Sequence, residues 1–355
     1  MSIEARSLRK TYGDFSVQVD LKIEEGETLV LAGPSGCGKT TALHLLAGLV
    51  APDGGSILLD GRDLADVPAW KRGIAVVFQD LSLFPHLSVG GNVAFGPFIR
   101  GTGRAERERV VEACLRAAHL EGYAKRRLST LSGGELQRTA IARALAAAPR
   151  ALLMDEPFSS LDAPLRRALR AEFRELRSQS PYPCLFVTHD REEAATLGDR
   201  IAIMKDGRIA EIGGARELFL APRTAFAARF LGAGAVLGAR PIGMDGRRMT
   251  VRCGLGTLSV ETAGGRGPEN GPDREMNLLI PRDALRIVAA DSSEAKCRAR
   301  IRSSVFSGDH EIIAAELADG TVLNVESSPR EATSEIGRGI GLAVNERLLR
   351  FLEDD

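Results

Sequence analysis

No run of about 18 or more apolar residues occurs in the 355-residue sequence, so no segment reads as a helix able to cross a bilayer. The opening residues, Met1-Ser2-Ile3-Glu4-Ala5-Arg6, lack the apolar stretch of a secretory signal. Cysteine is sparse: Cys37, Cys114, Cys184, Cys253 and Cys297 are scattered, odd in number and without a Cys-x-x-Cys pair. That argues against a disulfide framework or a zinc site and favours reduced thiols in the cytosol. Neither sign of charge is in excess, with 47 basic and 47 acidic residues, which removes any global electrostatic case for nucleic acid or an anionic membrane surface. Aromatic residues make up 5% of the chain, and 232–355 holds neither Trp nor Tyr. Stacking on bases in that stretch is therefore not expected.

What is present is ordinary globular material, 44% hydrophobic and 26% charged, and long enough for two domains with separate cores. Short apolar runs at 28–32, 73–78, 151–154, 184–188 and 200–204 alternate with helical patterns and predict parallel strands covered on both faces. Residues 3–12 and 15–23 read as an antiparallel edge. Between 87 and 150 the periodicity turns helical, with an amphipathic stretch at 106–119 and an alanine-rich one at 135–148. Character changes again near Gly232: the remainder alternates β-like runs with turns, including a hairpin at 311–317 and 321–326 around Asp319-Gly320. The polar, Gly- and Pro-rich residues 264–275 read as a loop.

Gly33-Pro34-Ser35-Gly36-Cys37-Gly38-Lys39-Thr40-Thr41 matches G-x-x-x-x-G-K-[ST], between a predicted strand and a predicted helix. Glycines let successive backbone N–H groups curl around phosphate, and the helix start adds a favourable dipole. Lys39 can reach the β- and γ-phosphates, and Thr40 can offer its hydroxyl to magnesium. The apolar run 151–154 ends in Asp155-Glu156, which suits a magnesium-holding carboxylate followed by a general base or water-orienting group. Ser132-x-x-Glu135, after Leu131 and around Gly133-Gly134, is a capping box, and a capped helix start with two glycines also serves phosphate.

With Leu136-Gln137-Arg138, that last segment closely resembles the signature sequence of ATP-binding cassette (ABC) ATPases. The resemblance implies that Tyr12 stacks on adenine and that Gln79 is the Q-loop glutamine sensing magnesium and water. It further implies that Asp162, in Ser159-Ser160-Leu161-Asp162, belongs to the D-loop, and that His189 is the switch histidine on the γ-phosphate. It carries the expectation of an α/β P-loop NTPase fold with a helical subdomain at about 87–150 inside a cassette spanning 1–231, and an all-β OB-like domain at 232–355. The expected catalytic residues are Glu156, His189 and Gln79. Nucleotide would be held by Tyr12, Gly33, Ser35, Gly36, Cys37, Gly38, Lys39, Thr40 and Thr41, together with Ser132, Gly133, Gly134 and Asp162. Magnesium would fall to Thr40, Gln79 and Asp155. In the family two cassettes pack head to tail, so Ser132 and Gly134 would complete a partner copy's ATP site.

The stretch 232–355 resembles the regulatory (TOBE) domain of the maltose, sulfate, ferric-iron, molybdate and polyamine importers, and Leu83-Phe84-Pro85-His86-Leu87-Ser88-Val89 also looks like that group. The resemblance implies an importer ATPase at the cytoplasmic face of a membrane, working with permease subunits, indirectly with a solute-binding protein, and without nucleic acid. Ferric iron is the first expectation for the cargo; an exporter cassette or a soluble cassette protein is the alternative. Cys37, inside the phosphate loop, reads as a small residue tolerated there, with oxidation or alkylation that blocks ATP as the alternative.

Overall fold

In the computed structural model, which describes residues 1–178, 180–262, 275–328 and 335–354, the chain divides into two compact units, Met1–Ala215 and Arg216–Asp355. The loop expected at 264–275 lies, except for Glu275, outside the described residues.

The first unit is built on β1 (Ile3–Tyr12), β2 (Phe15–Ile23), β3 (Thr28–Ala32), α1 (Lys39–Ala47), β4 (Gly54–Leu59), β5 (Arg62–Asp63) and β6 (Ile74–Val77). It continues through α2 (Val89–Ile99), α3 (Arg104–Ala117), α4 (Gly133–Ala146), β7 (Ala151–Asp155) and α5 (Ala163–Ser178). It ends in β8 (Cys184–Thr188), α6 (Arg191–Leu197), β9 (Arg200–Lys205) and β10 (Arg208–Gly214). One sheet runs in the order β5-β4-β1-β2-β10-β9-β3-β8-β7-β6. Its β9-β3-β8-β7-β6 part is parallel, and β1, β2 and β4 form the expected antiparallel edge.

Every residue of β3, β7 and β8 is buried, which is why their sequences are unbroken apolar runs rather than alternating ones. Alternation still sorts their side chains. Leu185 and Val187 of β8 join the core containing Leu43, Leu45 and Leu46 of α1, whereas Phe186 meets Phe158 in the loop after β7 and Phe173 of α5 at centroid distances of 5.7 and 5.8 Å. Helices thus cover both faces of the sheet. The C-terminus of α1 is held by the buried Arg72, whose Nη1 donates to the Leu46 carbonyl at 3.2 Å and whose Nη2 donates to that of Leu64 at 3.2 Å. Gly48 follows the helix with φ 77°, and a Cβ there would come within 2.4 Å of the Arg72 guanidinium carbon, so glycine alone leaves room for this cap.

Helices α2, α3 and α4 form a layer with its own core of Val89, Val93, Leu115, Ala118, Leu120, Leu128, Ala142 and Ala146. Observed bounds differ from the sequence expectation by a residue or two, as helix ends do.

The second unit opens with α7 (Ala215–Leu220, its first residue belonging to the first unit) and α8 (Ala225–Leu231). Strands follow: β11 (Gly234–Asp245), β12 (Arg248–Cys253), β13 (Gly256–Glu261), β14 (Met276–Pro281), β15 (Leu285–Val288), β16 (Cys297–Phe306), β17 (Glu311–Leu317), β18 (Val322–Ser327), β19 (Gly339–Val344) and β20 (Arg350–Leu352). They make two five-stranded antiparallel sheets, β13-β12-β11-β14-β20 and β15-β19-β16-β17-β18, around one shared core. The Asp319-Gly320 turn joins β17 to β18, with Gly320 at φ 84° and the Leu317 N–H donating to the Thr321 carbonyl at 2.8 Å. The shift of sequence character near Gly232 falls inside this unit, because α8 packs Ala225 and Ala228 onto Leu279 of β14 and Leu352 of β20.

Candidate functional site

Parallel strands present their C-terminal ends along one rim, and side chains in the loops that follow collect there. Register fixes which ones meet. Ala32 at the end of β3 is level with Thr188 of β8, Asp155 of β7 with Val187 of β8, and Val77 of β6 with Met154 of β7. The residues just beyond (the Gly33 loop, His189, Glu156 and Gln79) therefore share one edge of the sheet.

Between β3 and α1 the loop is pulled tight against the protein. A Cβ on Gly33 would lie 2.5 Å from the Met204 carbonyl oxygen, and Gly38 turns into α1 with φ 105°. The Lys39 side chain, 5% exposed, curls back so that Nζ donates to the carbonyls of Gly33 at 2.8 Å and Pro34 at 2.9 Å. In the first turn of the helix, Thr40 Oγ1 donates to Asp155 Oδ1 at 3.2 Å. Asp155 is buried, and burial pushes its carboxyl above the usual carboxylate range; the negative charge of Glu156 adds to this, while the Thr40 hydroxyl opposes it. Two hard oxygen donors beside the loop at 33–41 fit magnesium, which takes few protein ligands and completes its shell with phosphate and water.

Glu156 has φ 42°, a conformation that L side chains rarely adopt. Its N–H donates to the Val187 carbonyl at 3.0 Å, and its own carbonyl accepts from Ser159 Oγ at 2.9 Å. These bonds hold the strained residue so that Oε2 lies 2.9 Å from His189 Nδ1. Behind His189, Thr188 Oγ1 donates to the buried Glu193 at 2.5 Å, and Asp190 caps α6 by accepting from the Glu192 and Glu193 N–H groups at 2.7 and 3.2 Å. Burial raises the Glu193 carboxyl above its ordinary value. Gln79 is exposed two residues past the end of β6.

The ABC transporter family model matches residues 17–159. Across nearly the whole length, the chain is 38% identical over 351 residues to the Fe(3+) ions import ATP-binding protein FbpC of Agrobacterium fabrum, covering 96% of this chain and 97% of the relative. The chain belongs to the ABC transporter family. A Spermidine/putrescine import ATP-binding protein PotA of Ruegeria pomeroyi is 39% identical over 339 residues, covering 94% of this chain and 91% of the relative. The ATP-binding cassette MJ0796, solved as a post-hydrolysis dimer bound to ADP and Pi, matches with a TM-score of 0.53 and 33% identity. The match covers 60% of this chain and 99% of that one, so the chain carries a cassette plus further material.

The remaining residues of this ABC protein's expected site fall in two groups. Tyr12 ends β1 opposite Phe15, half exposed, with Lys10 Nζ 5.8 Å from its ring centroid and Lys10 tied to Asp53 at 2.8 Å. Phe15 borders the phosphate loop, since a Cβ on Gly38 would lie 3.3 Å from Phe15 Cζ. Ser132, Gly133, Gly134 and Asp162 form the second group. Ser132 caps α4 in a complete capping box: Glu135 N–H donates to Ser132 Oγ at 3.4 Å, and Ser132 N–H donates to Glu135 Oε2 at 2.7 Å. Gly134 gives way to Leu165, whose Cδ1 would lie 2.9 Å from a Cβ there, while Asp162 Oδ1 accepts from the Leu165 N–H at 3.0 Å. Among the described residues no hydrogen bond joins Ser132 or Asp162 to residues 33–41.

Cys37 does not read as a reactive thiol. It is 5% exposed, and burial pushes its pKa up, which keeps the sulfur protonated despite the Lys39 charge. The sequence reading missed Asn92, Arg143 and the Thr188–Glu193 pair. Asn92 had a signal, a polar residue in the otherwise apolar start of α2; Arg143 had none, because an arginine late in a helix ordinarily faces water.

Proposed function

We propose that this chain is the ATP-hydrolysing subunit that powers solute import through membrane permease subunits, as a peripheral protein on the cytoplasmic face. The observation that carries this is the match to import ATP-binding proteins through both units, 96% of the chain, where a cassette alone accounts for 60%. Among the described residues no helix is long and apolar enough to cross a membrane, so the spans would come from partners. A solute-binding protein would act on the far side.

In this reading Gly33, Ser35, Gly36, Cys37, Gly38 and Thr41 supply loop contacts to the phosphates, and Lys39 leaves the Gly33 and Pro34 carbonyls to meet phosphate oxygens. Thr40, Asp155 and Gln79 would hold magnesium, which when bound neutralises charge on the phosphate oxygens and relieves the uncompensated burial of Asp155. Glu156 takes the proton of the attacking water at its carboxylate. His189, hydrogen-bonded to that carboxylate, fixes its direction and turns to the γ-phosphate. Tyr12 stacks on the base. Ser132, Gly133, Gly134 and Asp162 act on the nucleotide of a second copy packed head to tail; Ser132 and Gly133 at the start of α4 and Asp162 just before α5 are exposed, open to such a partner. Binding that favours the closed dimer supplies work, and hydrolysis releases it. We assign 232–355 to regulation or support of the dimer.

Ferric iron is the first cargo to test and a polyamine the second, following the relatives' names. The test is uptake of radiolabelled ferric iron and spermidine in cells lacking the chain, complemented with wild type or Glu156→Gln. Loss of one uptake, restored by wild type alone, is the expected result. Unchanged uptake of both, while the purified chain hydrolyses ATP, would move export or a non-transport role ahead.

A further inference from the structure

The segment that follows Gln79 is held from outside by two side chains, Arg143 of α4 and Asn92 of α2. Leu81 and Ser82 have φ of 60° and 43°, two consecutive non-glycine residues in the left-handed region. Such a conformation persists where the surroundings over-determine it. Local bonds are few: Leu81 N–H donates to the Phe78 carbonyl at 2.9 Å, and Ser82 Oγ to Asp80 Oδ1 at 2.6 Å. The stronger hold comes from α4. Arg143, in its last turn, donates from Nη1 to the Ser82 carbonyl at 2.6 Å and from Nη2 to the Leu81 carbonyl at 2.9 Å. The same guanidinium lies 5.5 Å from the centroid of the Phe84 ring, which in turn sits 4.4 Å from Phe95 of α2. Asn92, with no exposed surface, finishes the fastening by accepting from the Phe84 N–H at 2.8 Å and donating to the Phe84 and Ser88 carbonyls at 3.1 and 3.0 Å.

A planar fork matched to two adjacent carbonyls transmits both direction and distance, which a single point charge does not. At its other end α4 begins at Ser132, and its 14 residues make a rod about 20 Å long. We propose that Arg143 is a positioning residue that locks the segment 79–88 to α4, so that Gln79 and the Ser132 end of the helix are displaced as one body. Nothing in the sequence pattern assigns this role, and it rests on the part proposed above for Gln79. Among the described residues no hydrogen bond or ion pair joins Arg143 to residues 33–41. Its loss acts on the timing of hydrolysis through Gln79 rather than on nucleotide affinity.

The test uses the full chain with Arg143→Ala and Arg143→Lys, read by amide hydrogen exchange, steady-state ATPase and binding of a fluorescent ATP analogue. Arg143→Ala is expected to speed exchange in residues 79–88 about tenfold or more, to cut kcat about tenfold, and to leave the analogue's Kd within about twofold. Arg143→Lys, which keeps the charge but reaches one carbonyl at a time, should fall between wild type and Arg143→Ala. Leu81→Gly added to Arg143→Ala should recover part of kcat, because glycine adopts the left-handed backbone without the clamp. Unchanged exchange at 79–88, or a rise spread evenly over the whole chain, would overturn the clamp. Faster exchange confined to 79–88 with kcat unchanged would overturn its positioning role. Gln79→Ala measured alongside separates the two ideas: if that variant keeps wild-type turnover, the assignment of Gln79 has failed rather than the clamp.

Discussion

Exchanging Glu156 for glutamine replaces one carboxylate oxygen by an amide nitrogen at nearly constant volume. The surroundings accept the change. His189 Nδ1, 2.9 Å from Oε2, can pair with either an amide oxygen or an amide N–H by its choice of tautomer. The two backbone bonds that maintain φ 42°, to the Val187 carbonyl and from Ser159 Oγ, involve no side-chain atom of residue 156. Folding stability should therefore stay within about 0.5 kcal/mol of wild type. What disappears is a proton acceptor, and removing a positioned general base costs roughly 10²- to 10⁴-fold, a barrier increase of about 2.7 to 5.5 kcal/mol. Nucleotide affinity should hold, since Lys39, Thr40 and Asp155 are untouched. The assay pairs steady-state hydrolysis with light scattering in ATP and magnesium, where the variant should accumulate as a dimer that wild type forms transiently. Turnover within about threefold of wild type would refute the base assignment, being well below the smallest loss such a role allows. Equal losses of turnover and affinity would refute the geometric argument that the two functions are carried by separate side chains.

Asp155→Asn tests the buried carboxylate. Its folded pKa lies above the ordinary value chiefly through burial, so the folded state keeps the proton to higher pH than the unfolded chain, and ionisation costs stability once pH climbs through the folded value. Without nucleotide the variant should melt above wild type at pH 7, with the gap closing below about pH 4, and magnesium with ATP should raise the Tm of wild type more than that of the variant; a wild type that melts higher at every pH would contradict this. The head-to-tail arrangement is tested by mixing Lys39→Ala, which loses its own nucleotide, with Ser132→Ala, which loses a helix cap of about 1 kcal/mol but keeps its loop. A mixed dimer retains one whole composite site and should regain hydrolysis that neither variant shows alone; no recovery where light scattering finds mixed dimers would refute the arrangement.

Chemistry that depends on consecutive residues was legible in the sequence. The glycine loop around Lys39 and Thr40, the acids ending β7 and the capping box at Ser132 each read correctly as local structure, because backbone turns and helix caps are decided within a few residues. Buried parallel strands were legible for a related reason, since a strand covered on both faces has nowhere to place a polar side chain. Local pattern could not show that Glu156 occupies a left-handed backbone and meets His189 across two strands, that Arg72 closes the end of α1, or that burial pushes the Cys37 thiol up. Nor could it assign Arg143 to the carbonyls of Leu81 and Ser82. Those facts depend on which chain segments become neighbours, and that is decided by strand register and helix packing over separations of tens of residues. The sequence by itself determined the family, the elements and the list of reactive groups; the tertiary structure decided which of them touch, at what distance, and how deeply they are buried.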